Sequence, residues 1–280
     1  MDISDARPID LKDYERFGEG ANGVSHNHRT DPCRMMKLYN PGAPVFNILN
    51  EWEFAHLVYD TGIPTPRPGE LVTDGERYGM EFERTPGKKS FSRASGEDPE
   101  HVDVYAGRFA AMCRKLHSTK LDTTRFRNIK DVYLDLLEEN PYFKADEKEK
   151  VAAFIKAAPE ADTAIHGDLQ FSNAIFTGDK EYFIDLGDFS YGSPLFDLGM
   201  VLLTCKYDGE DFLKEVFHMT PDTARKFWEA FVPAYFGNGM SPDEAEAMLR
   251  PYAGLKVLII ERDSQMYFPQ FHALLDGITR

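Results

Sequence analysis

The octapeptide HGDLQFSN, residues 166 to 173, gathers His166, Asp168 and Asn173 into one short stretch. Those types can divide a task, because a carboxylate can orient or deprotonate a hydroxyl while an amide oxygen serves a hard cation. The following NAIFTGDKEYFIDLGD reads as a hairpin, with NAIF and EYFID as strands around Gly178 and Asp179. Asn173 and Asp185 each lie six residues from Asp179. A symmetric hairpin therefore sets them opposite each other, about 4.5 to 5.5 Å apart at Cα. Two oxygen ligands so placed suit Mg2+, which usually completes its shell with water and substrate phosphates. Asp168 would then reach past the metal toward a substrate hydroxyl. A hairpin with polar ends explains the same residues equally well.

A second group of residues could hold phosphate. In FGEGANGVSH, residues 17 to 26, Gly18, Gly20 and Gly23 form GxGxxG, and glycines allow the backbone to aim N–H groups at phosphate oxygens. The dinucleotide version of this motif fits poorly, because a polar segment and not a crossover helix follows. Lys37 lies on an expected strand among Met35, Met36, Leu38 and Tyr39, where a half-buried ammonium needs an anionic partner. Glu51 and Glu53 fall near opposite shoulders of the next helix, and periodicity alone does not choose between them.

These residues need elements to carry them. Between Tyr14 and Tyr39 two strands joined by HNHRTDPC are expected, then a helix whose stripe is Val45, Ile48, Leu49, Trp52, His56 and Tyr59. Pro64, Pro66 and Pro68 end that helix, and LVTDG and RYGMEFE read as two more strands. RTPGKKSFSRASGED reads as a polar stretch with few anchors. Beyond it helices dominate: one opens at Pro99 with Asp98 as cap and Val102, Tyr105, Phe109, Met112 and Leu116 buried, and others fall near 128–139, 145–158, 196–206, 221–236 and 242–261. The expected fold is α+β, with residues 1–85 as a small antiparallel sheet lobe carrying one helix and residues 86–280 as a larger, mainly helical lobe.

Composition narrows the partners. The formal net charge of −15, from 32 basic and 47 acidic residues, argues against nucleic acid, whose phosphates call for dense Lys and Arg. Cys33, Cys113 and Cys205 are widely spaced and odd in number, which suits a reducing compartment. No apolar run is long enough to span a bilayer, and the acidic start MDISDARPID lacks an apolar signal segment. The expectation is a cytoplasmic protein with no membrane partner; oligomeric state is not legible.

Taken together, GEGANG, Lys37, Glu51, HGDLQFSN and IDLGD stand in an order that resembles the protein-kinase-like fold. HGD in place of HRD, with IDLGDFSYGSPLFDLG, AAMCRKLH and GIPTPRP, is similar to the aminoglycoside phosphotransferase and choline kinase group, from about residue 16 to 205. The resemblance implies Asp168 as catalytic base, Asn173 and Asp185 as Mg2+ ligands, and Lys37 on the α- and β-phosphates of ATP with Glu51 holding it. It also implies Gly18, Gly20, Asn22 and Gly23 over the phosphates, Glu83 and Thr85 as the adenine-binding connector, His166 as a structural residue and Asp197 as a buried organiser. One departure is that Val24 comes one place earlier than kinases put it, with Ser25 in the usual position.

Only FSYGSPLF separates Asp188 from Asp197, too little for a peptide-docking segment, so the expected acceptor is the hydroxyl of a small molecule. FWEAFVPAYF and ERDSQMYFPQ offer Trp228, Glu229, Tyr235, Glu261, Asp263 and Tyr267, a set that would suit an amine-bearing acceptor such as an aminoglycoside, choline or an amino alcohol. The competing functions are a nucleotide-binding regulatory module without transfer and a transferase acting on protein.

Overall fold

In the computed structural model, which describes residues 2–20 and 23–279, the strand formers of the N-terminal third make one sheet. Strands β1 (Arg7–Pro8), β2 (Tyr14–Gly20), β3 (Gly23–His28), β4 (Arg34–Tyr39), β5 (Pro68–Thr73) and β6 (Tyr78–Glu83) lie in the order β1-β5-β6-β4-β3-β2. The pair β1 and β5 is parallel and the other pairs are antiparallel. Where the sequence reading expects two strands between Tyr14 and Tyr39, three are present. The glycine-rich segment separates β2 from β3, with Gly20 paired to Gly23, and so few side chains leave no alternation to read. Gly23 is required there, because a Cβ would lie 2.3 Å from the Leu38 carbonyl oxygen of β4.

Helix α1 (Val45–Asp60) has the expected length but a rotated face. Ile48, Ala55 and Val58 are buried, whereas Val45 and Tyr59 of the expected stripe are exposed. Ile48 and Ala55 pack with Ala6, Tyr39, Leu71 and Met80, and the Trp52 indole N–H donates to the Gly69 carbonyl at 3.0 Å. Glu51 lies three residues after Ile48 and four before Ala55, so it shares the face that packs on the sheet. Glu53 is exposed.

The chain divides into two compact units, Met1–Lys89 with Ile175–Gly187, and Ser90–Ala174 with Asp188–Arg280. The hairpin of Ala174–Thr177 and Lys180–Phe183, which falls in the range assigned to the helical lobe, thus belongs almost wholly to the first unit. Long-range bonds draw it there: the Phe183 N–H donates to the Pro64 carbonyl and the Thr177 hydroxyl to the Pro86 carbonyl, each at 2.8 Å.

The second unit is built from helices α2 (Phe91–Glu97), α3 (Val102–Ser118), α4 (Ile129–Glu139), α5 (Ala145–Ala157), α6 (Leu195–Lys206), α7 (Glu210–Val216), α8 (Pro221–Phe236), α9 (Pro242–Leu255) and α10 (Val257–Ser264). Its core is aromatic, with Phe91, Phe109, Phe171, Phe217, Phe227 and Phe231 fully buried. Helix α2 stands where a polar stretch is expected: Ser90 caps it by accepting from the Arg93 N–H at 3.2 Å, and Phe91 and Ala94 bury beside the small, buried Ser92 and Ser95. The expected helix start at Pro99 is a single 3-10 turn before α3, and the Asp98 side chain makes no cap bond to it. The helix expected over 242–261 breaks at Lys256, which ends α9 and begins α10.

Candidate active site

HGDLQFSN alternates between two environments. Leu169 and Phe171 are fully buried, while Asp168, Gln170 and Ser172 are only partly so. The Phe171 ring lies 5.2 Å from that of Phe217 and 4.9 Å from that of Phe227. Burial of a phenyl side chain is worth about 1.5–3 kcal/mol, so these contacts pin the loop to α8 and to Phe217 at the end of α7. The Ser92 N–H at the start of α2 adds a bond to the Phe171 carbonyl at 3.1 Å.

The other face of the loop holds the carboxylate. Asn173 Nδ2 donates to Asp168 Oδ2 at 2.8 Å and to the Asp168 carbonyl at 3.1 Å, and Gln170 Nε2 donates to the same Oδ2 at 2.9 Å. Two amides on one oxygen fix the plane of the carboxylate. With its Nδ2 turned to Asp168, Asn173 has Oδ1 as the atom to offer a cation.

Beneath the loop lies Asp197, fully buried on α6. Its Oδ2 accepts from the His166 N–H at 2.7 Å and its Oδ1 from the Gly167 N–H at 2.9 Å. His117 Nε2 is 3.1 Å from Oδ2, and His117 Nδ1 is 2.7 Å from the Tyr235 hydroxyl. Burial alone would push the Asp197 carboxyl up, but the bond and field of His117, with Lys256 and His166, outweigh it and hold the carboxyl below the usual range. Gly167 sits at φ +85°, and a Cβ there would lie 2.2 Å from the Asp188 carbonyl oxygen. The backbone before Asp168 therefore has one way to run.

In the first unit, Lys37 Nζ donates to Glu51 Oε1 at 2.7 Å and Oε2 at 3.0 Å, lies 3.8 Å from Asp185 Oδ1, and stands 5.0 Å from the Tyr39 ring centre. Burial is the largest single influence on the ammonium and lowers its pKa, but Asp185 and Glu51 together reverse that and raise it. The cation is thus secured by two carboxylates, and its choice of Glu51 over Glu53 follows from the rotated face of α1.

Asp185 lies at φ 63°, in the left-handed region that Asp tolerates better than most residues. Asn173 precedes the first strand of the hairpin and Asp185 follows the second by two residues, so neither is the paired strand position that symmetric counting expects. The turn is the two-residue Gly178–Asp179, which centres the hairpin between those residues and not on Asp179. Asn173 falls in the second unit and Asp185 in the first, and each carries oxygen donors, the kind a hard cation takes. Among the described residues no three His, Cys, Asp or Glu side chains form a ligand cluster.

Gly18 and Gly20 lie at the end of β2, past a bulge that leaves Phe17 out of register, and Asn22 falls outside the described residues. Glu83 ends β6 with its N–H donated to the Arg67 carbonyl at 2.8 Å, and Thr85 is half-buried just beyond.

The acceptor candidates separate. Trp228 is core, with its indole N–H donating to the Pro242 carbonyl at 3.3 Å, and Glu229 is paired with Arg225. Glu261 is 2% exposed and accepts from Asn140 Nδ2, the Phe268 N–H and, across 2.9 Å, the His272 ring. Trp228, Glu261 and Tyr235 are thus held in structural contacts, whereas Glu229 is exposed in a surface pair. Asp263 and Tyr267 remain exposed, and Asp263 is bound to Arg262, whose guanidinium is 3.7 Å from Asp188. Gln170 within the loop, Lys256 through the Gly167 carbonyl and His117 through Asp197 also support it. Gln170 sits inside the quoted motif, whereas nothing local in the sequence marks Lys256.

The profile of the phosphotransferase enzyme family (APH) matches residues 13–227. Among curated proteins no sequence match is found. Solved structures are similar over nearly the full chain. A thermostable mutant of aminoglycoside phosphotransferase APH(4)-Ia, in ternary complex with ADP and hygromycin B, has TM-score 0.60 at 12% identity, over 96% of this chain and 93% of that one. Aminoglycoside phosphotransferase APH(2'')-Ib with ADP bound gives 0.58 at 16% identity, covering 95% and 93%. Choline kinase LicA from Streptococcus pneumoniae gives 0.55 at 14% identity, covering 95% and 92%. At such identities the likeness carries the fold, which is the protein-kinase-like one that the motif order implies.

Proposed function

The chain belongs to the phosphotransferase enzyme family, and from that premise we propose that it is a kinase moving the γ-phosphate of ATP to a hydroxyl of a small molecule. The observation that carries this reading is the fixing of Asp168: two amides hold its Oδ2, and Asp197 holds the two peptide N–H groups before it. A carboxylate held this firmly suits a base that aligns a hydroxyl for in-line attack, where positioning supplies most of the rate. The ADP in two of the similar structures supports a nucleotide as donor.

In this reading Lys37, kept in place by Glu51, binds the α- and β-phosphates, and the backbone around Gly18, Gly20, Asn22 and Gly23 covers them. Adenine bonds to the connector, through the Glu83 carbonyl and the Thr85 backbone, which assigns residues 1–85 to the nucleotide and 86–280 to catalysis and the acceptor. Asn173 and Asp185 would hold Mg2+, which when bound neutralises phosphate charge. An amine-bearing acceptor keeps two supports, the net charge of −15 and the exposed Asp263 and Tyr267. The short FSYGSPLF segment speaks against a protein acceptor.

The test is ADP release with ATP and Mg2+ across aminoglycosides, choline, amino alcohols, nucleosides and sugars. Acceptor-dependent release is expected for at least one class. Nucleotide binding with no release on any of them would favour a regulatory module.

A further inference from the structure

Lys256 is 1% exposed, yet it carries an amine. It sits at the break between α9 and α10, where its own N–H ends one helix on the Ala253 carbonyl at 3.2 Å and its carbonyl begins the next by accepting from the Ile259 and Ile260 N–H groups at 3.1 Å. The break gives the side chain its exit, and Nζ donates to the Gly167 carbonyl at 2.7 Å. The amine also lies 5.3 Å from the Tyr133 ring centre. Burial pulls the ammonium pKa down against the opposing fields of Asp197, Asp168 and Asp188, and the net is downward.

The Gly167 carbonyl is bonded to the nitrogen of Asp168, so whatever holds it holds the peptide on which Asp168 is mounted. The N–H of Gly167 is taken by Asp197 and its carbonyl by Lys256, from opposite ends of one residue. Its third constraint is the Asp188 backbone against its Cα. A buried ammonium is costly to desolvate, and an apolar side chain of similar volume is often as stable or more so in such a place. Packing alone is therefore a poor reason for an amine here.

We propose that Lys256 is a positioning residue for the proposed transfer: it clamps the Gly167–Asp168 peptide and so sets where the Asp168 carboxylate meets the acceptor hydroxyl. The proposal rests on the phosphotransferase reading for its catalytic part, while the clamp itself is a property of the fold.

The experiment compares the parent with Lys256→Met and Lys256→Arg in three measurements: amide hydrogen exchange over residues 164–171, thermal melting, and kcat with nucleotide KM. Lys256→Met should raise exchange in that segment by at least about tenfold, with the rest of the second unit unchanged. It should lower kcat by about 10- to 100-fold, the scale of a misplacement near 1 Å, at unchanged nucleotide KM. Lys256→Arg, which keeps a donor, should lie closer to the parent in both and guards against a methionine variant that does not fold. Unaltered exchange in the segment would remove the clamp whatever the activity. Raised exchange with kcat within about threefold of the parent would remove the positioning role, as would an arginine variant no better than methionine or a joint collapse of kcat, KM and melting temperature. A parent silent on every acceptor, with exchange raised by Lys256→Met, would count against the proposed function and leave the clamp standing.

Discussion

Replacing Asp197 with Asn removes one oxygen and one charge from the centre of the loop support. The carboxylate accepts from the His166 N–H, the Gly167 N–H and the His117 ring on its two oxygens. An amide keeps only one acceptor oxygen, so its NH2 must face either the Gly167 N–H or the His166 and His117 side. At least one hydrogen bond to a charged acceptor is lost, worth about 1.5–3 kcal/mol, and a buried donor is left facing another donor at about 1–3 kcal/mol. Lys256 loses the first of the carboxylates that oppose its desolvation. The two terms total about 2.5–6 kcal/mol, which brackets the cost of about 3–5 kcal/mol usual for breaking a buried charge arrangement from one side, and that narrower range sets the shift in melting. At roughly 2–4 °C per kcal/mol for units of this size, Asp197→Asn should melt some 6 to 20 °C below the parent.

Acid adds a sign to that comparison. The folded Asp197 pKa is depressed, so its contribution is complete above the unfolded value of about 3.9 and is lost as pH falls through the folded value. Scanning calorimetry of both proteins, at about neutral pH and again near pH 3, should show a wide gap that narrows on acidification. A gap under about 3 °C at neutral pH, or one that widens in acid, would refute the reasoning.

Lys37→Met should weaken ATP binding by about 10- to 100-fold, the equivalent of one charge-assisted contact to phosphate, by titration calorimetry; a change under threefold would take Lys37 off the nucleotide. Burial pushes the Asp208 carboxyl up to about 7, so its contribution is complete below the unfolded value of about 3.9 and is lost as pH rises through 7. Asp208→Asn should therefore melt above the parent at about pH 8.5 and no higher at about pH 4, and an equal difference at both would contradict that placement.

Legibility followed the range of the interactions involved. Asp168, Asn173 and Lys37 are marked by residue type and motif order, Glu51 by that order alone, and α1 and α3 by apolar spacing, which is a local signal. Helix α2 was missed because RTPGKKSFSRASGED buries two serines along with Phe91 and Ala94, and small polar residues do not register as a stripe. The rotation of α1 was missed because Trp52 and His56 are half-buried on its flank, while the small Ala55 takes the centre. The grouping of the Ala174–Phe183 hairpin with the first unit depends on bonds to Pro64 and Pro86, about 90 to 120 residues away in sequence. Lys256 is the extreme case: 89 residues separate it from Gly167, and its surroundings in the sequence read as an uninterrupted helix.

The central claim is that Asp168 acts on the acceptor and not on the nucleotide. It is tested most directly by measuring, in parent and Asp168→Asn, both the affinity for ATP with Mg2+ and the rate of acceptor-dependent ADP release. Asp168→Asn should lower turnover by about 10² to 10⁴, the range for a general acid–base group, at an ATP affinity within about twofold. Turnover equal to the parent's, or an ATP affinity that falls in step with turnover, would contradict it.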